Sequence, residues 1–113
     1  MAGLLDSAEL PNLKELFRDE NIGCAAVDLV GEKLVVHSEI YGDRGREKLK
    51  MVQQVNEAID NAFRERGVEK IYTWAQTDEQ YRYNIFLGYR PTGYEVTFDG
   101  KPSGYFEFEK VLI

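Results

Sequence analysis

The chain has 113 residues, 43% of them hydrophobic and 12% aromatic, enough apolar bulk for one core and too little length for a second, so a single domain spanning residues 1–113 is expected and a disordered chain is excluded. Twenty acidic against fourteen basic side chains leave a formal net charge of -6, which repels phosphate polymers and argues against a nucleic-acid partner. One cysteine, Cys24, one histidine and scattered carboxylates offer no disulfide and no recognisable metal-ligand spacing, so no metal site is expected. The segment Met1-Ala2-Gly3-Leu4-Leu5-Asp6 lacks the basic start and apolar stretch of a secretory signal, and no later run reaches bilayer-spanning length. A reducing, cytoplasmic setting without membrane contact is the expectation.

Leu10, Leu13, Leu16 and Phe17 recur at helical spacing behind Pro11, which predicts a short amphipathic helix over 8–19. The runs 22–30 and 34–41 are rich in β-branched residues and are separated by Gly31-Glu32-Lys33, which predicts an antiparallel hairpin. Asp43 then stands where a helix cap belongs. Leu49, Val52, Val55, Ile59, Ala62 and Phe63 form one stripe that stops at Gly67, so this is the longest predicted helix. Residues 68–75 follow as a strand, and the β-α-β connection makes it parallel to the strand before the helix. Thr77 or Asp78 caps a shorter helix that ends at Gly88, and a final hairpin turns at Asp99-Gly100 through Gly104. The predicted order is α-β-β-α-β-α-β-β, an α/β (α+β) chain with a mixed sheet.

The segment from Tyr83 to Tyr94, with Leu87-Gly88-Tyr89 closing a short aromatic-bearing helix, resembles the GCN5-related N-acetyltransferase (GNAT) superfamily. The closing Asp99-Gly100 hairpin and the run Phe106-Glu107-Phe108-Glu109-Lys110-Val111-Leu112 resemble the same family, and the likeness extends from Lys33 to Leu112. It implies a GNAT-like sheet whose two parallel strands diverge to receive acetyl-coenzyme A. The family begins with a further strand and two helices, so an abbreviated N-terminal half is expected for this chain. Short, divergent members resemble the acetyltransferase-like proteins of tailed bacteriophages.

In that family the cofactor's pyrophosphate is held at the start of the long helix, where unpaired amides and the positive end of the helix dipole favour an anion. By resemblance the holding residues are Gly42, Arg44, Gly45 and Arg46. Against the family's loop pattern, Gly42 stands where Gln or Arg is usual, and Glu47 replaces a small residue. A carboxylate there adds like charge beside a phosphate, while Arg44 and Arg46 supply cations.

The family's proton donor to the departing thiolate is a tyrosine four residues before the helix-ending glycine. Here that position is Asn84, and Tyr83 lies about 100° around the helix from it, so Tyr83 is either a shifted donor or an aromatic anchor. The asparagine usual near the start of this helix is absent from Thr77-Asp78-Glu79-Gln80. Amine acetylation also needs a base. His37 and Glu39, two apart on one strand, project from one face with Tyr41 and are the candidates, against a plain solvent-facing pattern opposite Leu34, Val36 and Ile40.

Two functions follow from these expectations. In the first, the acetyltransferase fold has lost its chemistry and acts through a protein partner or a second copy of itself, as a virion-associated component of a tailed phage, in the host cytoplasm or the particle. Tyr89, Tyr94 and Tyr105 would then be interface aromatics, and an edge strand left open by the short N-terminal half would be a pairing site. In the second, the chain is an active small N-acetyltransferase that transfers acetyl from acetyl-coenzyme A to an amine acceptor. Altered motif positions favour the first.

Overall fold

The computed structural model describes residues 14–43 and 45–113. Its elements in chain order are β1 (Lys14–Asp19), β2 (Gly23–Val30), β3 (Lys33–Ile40), α1 (Arg46–Glu65), β4 (Lys70–Ala75), α2 (Asp78–Phe86), β5 (Arg90–Phe98) and β6 (Lys101–Val111). The strands form one six-stranded mixed sheet in the order β1-β2-β3-β4-β6-β5. Only the central β3–β4 pair is parallel, as the β-α-β connection predicts.

The local signals act where expected. Thr77 caps α2 and forms a reciprocal capping box with Gln80, which satisfies two amides at the helix start. Each helix stops beside a glycine in left-handed conformation, Gly67 (φ 77) after α1 and Gly88 (φ 96) after α2. The final hairpin is tighter than expected: Asp99-Gly100 alone makes the turn and Lys101 already belongs to β6.

Two expectations are corrected. Residues 14–19, the second half of the predicted first helix, form β1, antiparallel to β2 with a register shift between Glu15 and Phe17; residues 8–13 of that helix lie outside the described residues. The edge of β2 offers a row of unpaired backbone groups, and pairing them outweighs the helical spacing of two or three leucines. The N-cap of α1 is Gly45, not Asp43, and no side chain caps it.

Both helices pack on one face of the sheet. Val36 and Ile40 of β3, Ile71 of β4, and Phe108 and Leu112 at β6 meet Val52 of α1 and Leu87 after α2, with Leu49, Phe63 and Tyr83 closing the margin. Ile71 and Phe108 are fully buried, each contributing about 1.5–3 kcal/mol from apolar burial. Strand alternation sends Val35, His37, Tyr72 and Trp74 to the opposite face. There the outer part of the β5–β6 hairpin covers Trp74, with the rings of Phe98 and Tyr105 centred 5.7 and 6.1 Å from it.

Candidate active site

The site is built at the seam between β3 and β4. Their parallel pairing is confined to Val35 and Tyr72, although β3 continues to Ile40 and β4 to Ala75. Backbone groups released by this divergence are met by side chains. Thr73 Oγ1 donates to the Val36 carbonyl at 2.7 Å, and Asn84 Nδ2 of α2 donates to the Trp74 carbonyl at 3.2 Å. Further along, Ser38 Oγ donates to the Tyr83 hydroxyl oxygen at 3.3 Å, joining β3 to α2 across the opening.

The opening is a cleft of about 180 Å³ lined by Ser38, Glu39, Ile40, Thr77, Glu79, Gln80 and Tyr83. One wall is the end of β3 and the other the capped first turn of α2. An apolar cavity continues beneath it towards Val52, Val55 and Ile59 of α1. The cleft thus combines an apolar floor with hydroxyl, amide and carboxylate groups at its rim, the composition of small-molecule sites.

The chain leaves the cleft wall at the end of β3 and starts α1 at Arg46. Gly45 is its N-cap with extended backbone, and a Cβ built on Gly45 meets no atom within 4 Å. Among the described residues no N-cap side chain claims the first amides of α1, and the helix dipole makes them attractive to an anion. Gly42 takes a left-handed conformation (φ 68), and a Cβ there would lie 3.3 Å from Lys48 Nζ. Lys48 donates to the Tyr41 carbonyl, bracing the turn between β3 and α1. Arg46 opens α1, whereas Arg44 lies outside the described residues.

Of the three residues singled out for catalysis, the structure brings two to the cleft. Glu39 and Tyr83 line it. Tyr83 needs no shift of register to do so, because the amide of Asn84 is turned inwards to Trp74 while the adjacent tyrosine reaches across to Ser38. It also packs against the core, so the anchor and cleft readings describe the same side chain. His37 is different. The expected solvent-facing imidazole is 0% exposed, and it is not among the residues lining the cleft. Its ring stands edge-on to Trp74 with centroids 5.1 Å apart. Burial pushes its pKa down from 6.5 to about 4, so it is neutral at pH 7.

Three participants escaped the sequence reading: Ser38, Thr73 and Asn84. Ser38, between Val36 and Ile40, and Thr73, between Ile71 and Ala75, are small polar residues on otherwise apolar core-facing strand faces, and that pattern was the available signal; Asn84 is the buried residue of a largely exposed, polar helix, which offered none. Tyr89, an expected interface aromatic, is buried at 4% exposure under the core, and Tyr105 is half-buried on Trp74; Tyr94 is 71% exposed. Among the described residues no group of three or more metal-ligating side chains occurs, and no helix is long and apolar enough to cross a membrane.

No family model matches the sequence, and no curated protein does. Solved structures are similar in fold. An aminoglycoside 6′-acetyltransferase type Ii superposes with a TM-score of 0.59 at 18% identity, covering 96% of this chain and 79% of that one. The aminoglycoside 6′-N-acetyltransferase from Enterococcus faecium gives 0.59 at 16% identity, covering 96% and 81%. A GNAT-family acetyltransferase from Bacillus anthracis gives 0.55 at 16% identity, covering 80% of this chain and 58% of that one. With its single parallel pair diverging between a long and a short helix, this chain has the fold of the GCN5-related N-acetyltransferases.

Proposed function

We propose that the chain binds acetyl-coenzyme A in the β3–β4 split and transfers the acetyl group to an amine. The observation that carries this reading is the Tyr83 hydroxyl, held by Ser38 at the opening of the split. The open amides at the α1 start and the space around Gly45 fit a pyrophosphate, with Gly42, Gly45 and Arg46 as its described neighbours. Aminoglycoside 6′-N-acetyltransferase among the similar structures supports an amine acceptor.

The cofactor supplies an acyl group already activated as a thioester; the rest falls to the chain. In the arrangement described, Ser38 Oγ hydrogen-bonds the Tyr83 hydroxyl and places that phenol at the cleft as the proton donor to a leaving group. Glu39 at the rim is the carboxylate placed to take a proton from an incoming ammonium. His37 is buried beside Trp74, so the base role goes to Glu39 in this reading.

Calorimetric titration with acetyl-coenzyme A tests it. Saturable binding by the native chain, lost in Gly45→Glu, supports the reading; absence of binding at millimolar ligand rejects it.

A second reading keeps the fold and drops the chemistry, the chain acting by binding a protein partner or a second copy, as the phage resemblance implies for a virion component. Its support is the exposed apolar side chains of Tyr81, Ile85, Tyr94 and Phe106 on α2 and the last hairpin. Light scattering of the purified chain at high micromolar concentration and a pull-down test it: a monomer without a captured partner ends this reading.

A further inference from the structure

The divergence of β3 from β4 has no bulge to explain it. All eight residues of β3 keep register with β2, and all six of β4 keep register with β6. Both outer ladders are intact, and only the shared seam opens, after Val35 and Tyr72. Continuing that parallel register would set Val36 beside Thr73 and His37 beside Trp74.

At those two positions side chains occupy the seam. On the helix-bearing face Thr73 Oγ1 replaces a ladder bond to the Val36 carbonyl. On the other face the imidazole of His37 stands against the indole of Trp74 at an interplanar angle of 72°. Phe98 and Tyr105 of the hairpin pack on Trp74 as well, with ring centroids 5.7 and 6.1 Å from it. His37 is completely buried, and among the described residues neither Nδ1 nor Nε2 has a hydrogen-bond partner. A ring that is buried without using its nitrogens contributes through size and shape.

We propose that His37, wedged edge-on against Trp74, is the positioning residue that ends the β3–β4 ladder at Val35 and Tyr72 and holds the split open. It acts through the next residue, Ser38, whose hydroxyl carries Tyr83. That the split receives acetyl-coenzyme A rests on the proposed function above; that His37 opens it does not.

The test compares His37→Val, which removes the ring, with His37→Phe, which keeps one. Cross-strand nuclear Overhauser contacts and amide exchange locate the end of the ladder without any ligand. The native chain and His37→Phe should stop at Val35 and Tyr72, while His37→Val extends the pairing by at least one residue pair, with amides at 37–39 about tenfold better protected. Trp74→Leu removes the other half of the wedge and should extend the ladder likewise, which keeps the test decisive if one variant does not fold. A ladder unchanged in His37→Val and Trp74→Leu, or extended in His37→Phe, overturns the proposal. Acetyl-coenzyme A titration then reads the consequence: affinity about tenfold weaker in His37→Val and retained in His37→Phe. If the native chain binds no acetyl-coenzyme A, the functional reading falls while the ladder measurement still decides the wedge.

Discussion

Lys110 on β6 places its Nζ 3.0 Å from Asp60 Oδ2 in the body of α1, and both side chains are buried. The same ammonium lies 4.4 Å from the ring centroid of Tyr89. Burial lowers the Lys110 pKa, opposed by the hydrogen bond it donates to Asp60, and burial pushes the Tyr89 phenol well above its usual range. This contact fastens the long helix to the far half of the sheet, the half that does not form the cleft.

Removing one partner leaves the other charge in an apolar setting. Asp60→Ala should lower unfolding free energy by about 3 kcal/mol, whereas the double change Asp60→Leu with Lys110→Met should be neutral or stabilising by about 1 kcal/mol. Urea denaturation of the three proteins checks this. A single variant as stable as the native chain would show that the pair carries no structural weight.

His37 sets the acid limb of stability. Its pKa falls from 6.5 when exposed to about 4 in the fold, so between those values the unfolded chain binds the extra proton. The contribution is fully present above pH 6.5 and is lost as pH falls through about 4. The loss amounts to about 2 kcal/mol by pH 5 and about 3 kcal/mol below pH 4. Denaturation curves at pH 7 and pH 5 should differ by that smaller amount in the native chain, and the difference should shrink in His37→Phe.

Gly23 begins β2 where the chain passes the end of β3. A Cβ at this position would fall 2.0 Å from the Glu39 carbonyl oxygen, a backbone atom that cannot swing aside. Gly23→Ala should therefore cost about 3 kcal/mol and displace Glu39 at the cleft rim. Melting temperature measures the first effect, and the amide chemical shifts of 38–40 the second.

Tyr83→Phe keeps the ring against the core and deletes the hydroxyl that meets Ser38. If Tyr83 is the proton donor, kcat should fall about a hundredfold with acetyl-coenzyme A affinity unchanged. Steady-state kinetics with an amine acceptor, paired with calorimetry, separates the two quantities. An unchanged kcat removes Tyr83 from the chemistry.

Much of the architecture was legible because its signals are local. The stripe from Leu49 to Phe63, the cap at Thr77 and the stops at Gly67 and Gly88 act within a turn or two of chain, and each appears in the fold. The Leu16-Phe17 segment misled because the same two residues serve a helix stripe or a strand, and the choice was made by the open edge of β2. His37 misled for a related reason: alternation along one strand tells which side chains share a face, and says nothing of what covers that face.

From the residues alone come the element order from Ile22 onward and the parallel central pair, while the family resemblance pointed to Glu39 and Tyr83 as the carboxylate and phenol candidates. Tertiary structure alone decided the rest. The contacts that make the cleft join residues far apart in the chain, Val36 to Thr73 across 37 positions and Ser38 to Tyr83 across 45. Periodicity and caps report the chain within a turn of itself, whereas a split seam, a buried imidazole and a hydroxyl carried across it exist only once separate strands have been brought side by side.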